Sequence, residues 1–242
     1  HPMLEREVSL NLMDLTLQTL DREEVKRYLG MSGKTVPAET ERQIDSCIQE
    51  TLRVIRPRAV YLRKAFQATE DGFQIQGSPL YLSGKSIQPF LEGAAEAWFL
   101  AVTVGQGMDR LIRTAMVSRP EESIILDCCG AVAVEAAADL LQAALLQTVT
   151  QEGLQLTPRF SPGYGDLPIE LQRDFLNLLD AQRKIGLTIT ESSMLVPSKS
   201  ITALIGIRSD QKAITYHPCD ACIRRHNCEL RKAGKPCWHM TT

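Results

Sequence analysis

From Glu39 to Val54 the apolar residues Ile44, Cys47, Ile48 and Leu52 recur at intervals of three and four, which places them on one side of an amphipathic helix. Ahead of them, Asp21 with Glu24 three residues on marks a short helix over 21–29, and Gly30 marks its stop. From Ala59 to Phe66 the period shortens to two, and Gly72 to Gln76 and Leu80 to Leu82 follow with Asp-Gly and Gly-Ser turns between them. This spacing predicts short antiparallel strands. Trp98 to Val104 is continuously apolar, as a strand buried on both faces would be, and Gly105-Gln106-Gly107 leads into a helix from Met108 to about Val117. The long run from Ile124 to about Thr150 has no proline and is dense in alanine and leucine, so it predicts a helix of several turns. A further helix is expected over 168–184. Thr188 to Thr190 then reads as a strand that Pro197 breaks and Ile201 to Ile207 resumes.

Helices and strands mix without a regular βαβ rhythm. That predicts an α+β fold, a mixed or antiparallel sheet flanked by helices, rather than a doubly wound one. Gly105-x-Gly107 lacks the rest of a dinucleotide fingerprint and is read as a plain strand-to-helix turn. The expected organisation is an N-terminal helical subdomain over 1–57, an α+β body over 58–215 and a Cys-rich tail over 216–242.

Composition changes this picture little. A net charge of -2 over 242 residues gives no overall pull toward nucleic acid or membranes, and 44% hydrophobic content is enough for one sizeable core. The start, His1-Pro2-Met3-Leu4-Glu5-Arg6, is polar, and no run of eighteen apolar residues follows, so neither a signal peptide nor a membrane span is expected. A cytoplasmic protein is the expectation. Its seven cysteines are then core thiols, metal ligands or redox groups rather than structural disulfides.

Candidate chemistry starts at residues 159–164, Arg-Phe-Ser-Pro-Gly-Tyr. Pro162 and Gly163 suit the two central positions of a type II turn, because proline presets the first angle and glycine supplies the positive φ of the second. Beside that turn Arg159 offers a forked donor to a carboxylate, Tyr164 a ring face and a hydroxyl, and bare main chain lies between them. A surface turn with a solvated arginine is the alternative. On the long helix, Glu135 and Asp139 stand four apart and share a face among small neighbours. They mark either a ligand-facing side or the solvent side of that helix.

Taken in order, the alanine-rich helix, the Arg-x-x-x-Gly-Tyr signature on Arg159, Gly163 and Tyr164, a following helix and the Thr190-Glu191-Ser192 segment make the chain resemble the activation domain of cobalamin-dependent methionine synthase. The resemblance covers about residues 90 to 207. It implies S-adenosylmethionine binding, with Arg159 on the ligand carboxylate, Glu135 on the amino group, and the main chain around Ser161 and Gly163 with the Tyr164 ring holding the rest. Asp139 is a further candidate by helical proximity. The family carries another tyrosine after the Thr-Glu-Ser strand, where this chain reads Ser-Ile-Thr-Ala-Leu-Ile-Gly-Ile from Ser200.

In that family the domain reactivates a corrinoid whose cobalt has been oxidised to Co(II). One electron arrives, and S-adenosylmethionine traps the resulting Co(I) by methylation. The body is too short to include a cobalamin module, so the resemblance implies a methyltransferase component working in trans on a separate corrinoid protein, with an electron donor protein as the other partner.

The tail carries a separate signal. Cys219, Cys222, Cys228 and Cys237 are separated by two, five and eight residues in a polar segment too short to build a core. Four thiolates there suit an iron-sulfur cluster or zinc, with His217, His226 and His239 as reserve ligands. Arg224, Arg225, Arg231, Lys232 and Lys235 also allow a basic zinc knuckle on a ligand-sensing module without catalysis. Between His217 and His239 the aromatic content is Trp238 alone, which argues weakly against base stacking on nucleic acid. Cys47, Cys128 and Cys129 are expected as core thiols.

Overall fold

A computed structural model describes residues 10–209, 226–228 and 232 of the chain. In order these form β1 (Asn11–Asp14), α1 (Arg22–Tyr28), α2 (Ala38–Val54), β2 (Arg58–Ala68), β3 (Gly72–Ile75), β4 (Tyr81–Ser83), α3 (Gln88–Leu91), β5 (Ala94–Thr103), α4 (Gln106–Ser118) and α5 (Pro120–Gln151). There follow β6 (Gln155–Leu156), α6 (Leu171–Leu178), α7 (Ala181–Ile185), β7 (Thr188–Ile189), β8 (Leu195–Val196) and β9 (Ser200–Arg208). The α+β class and the antiparallel sheet with flanking helices are as the sequence pattern predicts.

Seven strands make the main sheet in the order β4-β3-β2-β5-β9-β6, with β1 also paired to β2, and every pairing is antiparallel. Alternation along its central strands sorts side chains to two faces. Trp98, Leu100 and Val102 of β5 and Ala203, Ile205 and Ile207 of β9 meet α1, α2, α4 and α5 on one side. Ala97, Phe99, Ala101 and Leu204 point the other way, into a second core with α3, α6, α7 and the β3–β4 hairpin. There Phe99 and Phe175 pack edge to face at 5.3 Å, a geometry that contributes about 1 kcal/mol beyond the area it buries.

Small residues let these layers close. Gly206 lies so near α3 that a Cβ on it would stand 2.4 Å from the Phe90 carbonyl oxygen. Gly107 does the same for α4 on α2, where a Cβ would meet the Val54 carbonyl oxygen at 2.3 Å. The 32-residue α5 runs the full width of its layer, contacting α1, α2, α4 and three strands.

Three local readings change. The capping of α1 is carried by Asp21, which accepts from Glu23 N and Glu24 N at 2.8 and 3.2 Å, while the Glu24 side chain turns to Arg27 at 2.7 Å. The helix expected over 168–184 is two, because Asp180 adopts a left-handed conformation with φ 47°; this bend lets α6 pack on β5 and β9 while α7 packs on β2. The strand at Thr188 does not resume after Pro197. Thr188–Ile189 pairs with Leu195–Val196 in its own hairpin, whose tip holds Thr190-Glu191-Ser192, and β9 belongs to the main sheet.

Candidate functional site

The segment that carries the signature is laid down along β9. After β6, Thr157 N donates to Gly206 O at 2.9 Å and the Thr157 hydroxyl accepts from Gly206 N at 2.8 Å. Phe160 and Leu204 then exchange main-chain hydrogen bonds at 2.9 and 2.8 Å. Because adjacent side chains in an extended chain point to opposite faces, Phe160 enters the core beyond the sheet, 4.5 Å from Phe90. Arg159 is thereby sent to the other side, toward α5.

There it meets three acceptors on one helix. Arg159 Nη2 stands 3.1 Å from Glu135 Oε2 and 2.8 Å from Asp139 Oδ1, and Nη1 donates to Gln142 Oε1 at 3.0 Å. Positions 135, 139 and 142 follow the i, i+4, i+7 spacing of one helical face. The arginine side chain is 19% exposed, against 45% and 38% for Glu135 and Asp139, so the guanidinium is covered while its acceptors open to solvent. Arg159, Glu135 and Asp139, picked out from separate stretches of sequence, are one cluster.

Beyond Arg159 the chain turns as its residues dictate. Tyr164 N donates to Ser161 O at 3.1 Å, and Gly163 takes φ 90°, the left-handed value a type II turn needs. Gly163 N also donates to Leu167 O at 2.8 Å. The side of Gly163 where a Cβ would lie is filled by the tip of Ile169, at 2.7 Å. Tyr164 is 65% exposed, its ring tilted 6.4 Å from Phe160. Ser161 is half-buried between them.

Three further residues shape the region and were not picked out from sequence. Gln142 was legible as the next residue on the Glu135 face. Asp166 accepts from Lys85 N at 2.7 Å and Ser86 N at 2.9 Å, and the Ser86 hydrogen bond above all holds its carboxyl below the usual range. This pins the turn to the loop after β4. Tyr28, at the end of α1, has its hydroxyl pKa raised by burial first and then by the nearby charge of Glu135, which puts α1 beside the cluster.

The core thiols play no part in this site. Cys47 and Cys129 are fully buried, and burial pushes both up to about 12; half-buried Cys128 is raised for the same reason. Such thiols are weak nucleophiles and poor metal ligands at neutral pH. Of the tail cysteines, Cys219, Cys222 and Cys237 lie outside the described residues, and Cys228 is half-buried. Among the described residues no three His, Cys, Asp or Glu side chains stand together as a metal site, and no helix is long and apolar enough to cross a membrane.

Residues 87–225, more than half of the chain, match the family model described as "Vitamin B12 dependent methionine synthase, activation domain". Among solved structures the fold matches a crystal structure of the MetH reactivation domain bound to AdoHcy, with a TM-score of 0.68 and 16% sequence identity, covering 95% of this chain and 87% of that one. No curated protein matches the sequence.

Proposed function

The chain belongs to the family of vitamin B12 dependent methionine synthase activation domains, and on that premise we propose that it binds S-adenosylmethionine and supports reductive methylation of a corrinoid on a separate partner protein. The observation that carries the reading is the Arg159 guanidinium shared between Glu135 and Asp139. An α-amino acid presents a carboxylate and an ammonium close together. In this reading the ligand carboxylate takes a place on Arg159 and its ammonium takes Glu135, while Asp139 and Gln142 keep the guanidinium in position. With the Gly163 N–H given to Leu167 O and its Cβ side filled by Ile169, the turn from Ser161 to Tyr164 offers the rest of the ligand the exposed main chain on the opposite side of Gly163 and an exposed phenol ring. The AdoHcy carried by the solved reactivation domain of matching fold supports an S-adenosyl ligand here.

The methyl donor supplies the electrophile, and the corrinoid, given an electron by a donor protein, supplies the nucleophile. What is asked of the chain is alignment, so no general base is required. Cys219, Cys222, Cys228 and Cys237 enter the proposal as ligands of an iron-sulfur cluster or zinc, supported by the presence of four thiols in one short polar segment, at spacings that match neither a zinc ribbon nor a ferredoxin. Metal analysis with a visible absorption spectrum tests the tail.

Calorimetric titration of S-adenosylmethionine tests the site. Binding should weaken roughly 10- to 100-fold in Arg159→Ala and stay unchanged in Arg42→Ala, a variant of an exposed arginine paired with Glu39 on α2. Equal binding by both variants rejects the assignment. Transfer of label from methyl-labelled S-adenosylmethionine to a corrinoid protein, dependent on reductant and on this chain, tests the reaction.

A further inference from the structure

The charges around Arg159 do not balance. One guanidinium faces two carboxylates, Glu135 at 3.1 Å and Asp139 at 2.8 Å, and its remaining partner, Gln142, is neutral. Of the neighbours contributed by α1, Arg27 is matched by Glu24 at 2.7 Å and Tyr28 is a neutral phenol. Among the described residues the cluster therefore carries one uncompensated negative charge.

From this imbalance we infer that the site discriminates its ligand by the charge on sulfur, and that Asp139 is the residue that sets the discrimination. The inference rests on the ligand reading above and extends it. A bound S-adenosyl amino acid adds a carboxylate and an ammonium, which cancel, so the excess negative charge is still present. Only a ligand with a further positive charge neutralises it. S-adenosylmethionine has that charge in its sulfonium; S-adenosylhomocysteine, the thioether left when the methyl departs and the bonding electron pair stays on sulfur, does not. Glu135 is committed to the ammonium in this arrangement, which leaves Asp139 as the source of the excess. Hydrogen bonding alone would not separate the two ligands, because their carboxylate and ammonium are the same.

The magnitude is that of Coulomb's law for unit charges taken to be roughly 5–8 Å apart. Both carboxylates are more than a third exposed, so the effective dielectric lies toward that of water. The expected preference is then roughly three- to tenfold for the cation. Such a difference favours exchange of spent thioether for fresh donor without making the donor hard to release.

The test is calorimetric titration of the full chain with three ligands at low and high salt: S-adenosylmethionine, S-adenosylhomocysteine, and the analogue with an amine-bearing carbon in place of the methylsulfonium, cationic at pH 7. The two cations should bind alike and about three- to tenfold more tightly than the thioether, with the ratio shrinking as salt rises. In Asp139→Asn the ratio should fall to near one. The ratio is the readout, since a purely structural role of Asp139 would weaken all three ligands together. Equal affinities in the unaltered chain, or an unchanged ratio in Asp139→Asn, overturn the inference and leave the ligand reading standing. Failure of all three to bind overturns the ligand reading itself. If Asp139→Asn does not fold, Asp139→Ser carries the same test of that residue, and the ratio and its salt dependence in the unaltered chain decide the discrimination itself.

Discussion

Asp166 and Ser86 hold each other across two loops: Asp166 Oδ1 accepts the Ser86 N–H at 2.9 Å, and the Asp166 N–H donates to the Ser86 hydroxyl at 3.4 Å. A Cβ on Gly84 would come within 2.7 Å of the same carboxylate, so the two loops fit only because residue 84 is glycine. The turn that carries Gly163 and Tyr164 is thus moored to the end of β4.

Asp166→Ala should loosen that mooring. Hydrogen bonds to a charged acceptor at an exposed site contribute about 1–2 kcal/mol, and amide exchange should quicken at 84–86 and 161–167 with little change in α5. The pH dependence has a definite sign. A carboxyl held below its ordinary value stabilises the fold above the unfolded carboxylate range, and that contribution is lost as pH falls through the folded value. The unaltered chain should therefore lose more stability on acidification than Asp166→Ala does.

Removing the Arg159 side chain should separate ligand binding from stability. Its ion pairs are partly exposed and contribute about 1 kcal/mol or less, so Arg159→Ala should melt within a few degrees of the unaltered chain. S-adenosylmethionine affinity should fall roughly 10- to 100-fold, the usual loss for a charged hydrogen-bonded contact. Arg159→Lys should recover only part of that, because an ammonium cannot present two parallel N–H groups to a carboxylate while also reaching Gln142.

Gly206→Ala and Gly153→Ala distinguish two reasons for glycine. At Gly206 the new Cβ would meet the Phe90 carbonyl oxygen at 2.4 Å inside a strand paired on both edges, so main chain must move. A loss of about 3 kcal/mol in urea unfolding is expected. Gly153 has open space around it and a φ of 74°, so alanine there should cost only about 1 kcal/mol of backbone strain.

The two deepest thiols give an alkaline signature. Cys47 is raised by burial and then by Glu122 and Glu50, Cys129 by burial and then by Cys47, each to about 12. Groups with raised folded values favour the fold below the ordinary thiol range and cease to do so as pH rises toward about 12. Unfolding midpoints should drop across that window, and less steeply in Cys47→Ala and Cys129→Ala, although both variants start lower because of the cavity. At pH 8 a thiol reagent should reach Cys47 and Cys129 only on unfolding.

Much of this was legible in the chain. Alanine and leucine without proline announce α5, and alternation from Ala59 announces β2, because each pattern reports a face that must be buried. The turn at Ser161 to Tyr164 follows from proline and glycine chemistry alone. The break at Asp180 was not legible, since aspartate tolerates the left-handed region but nothing in the local pattern says that this one takes it between α6 and α7. Nor was β1: Asn11 to Asp14 is too short to show a period and is a strand because β2 offers it an edge. That Arg159 and α5 meet is likewise a product of topology, as the segment between them pairs along β9, which comes from about forty-five residues further on in the chain.

The seating of Phe160 has a mechanical consequence. Its main chain is tied to Leu204 in the sheet, while its neighbour's guanidinium is tied to α5, so a single arginine side chain spans the seam between the two layers. Any protein that leans on α5 and alters its distance from the sheet changes the reach demanded of that side chain. The spacing between helix and sheet is in this way coupled to the geometry of the Arg159–Glu135–Asp139 cluster.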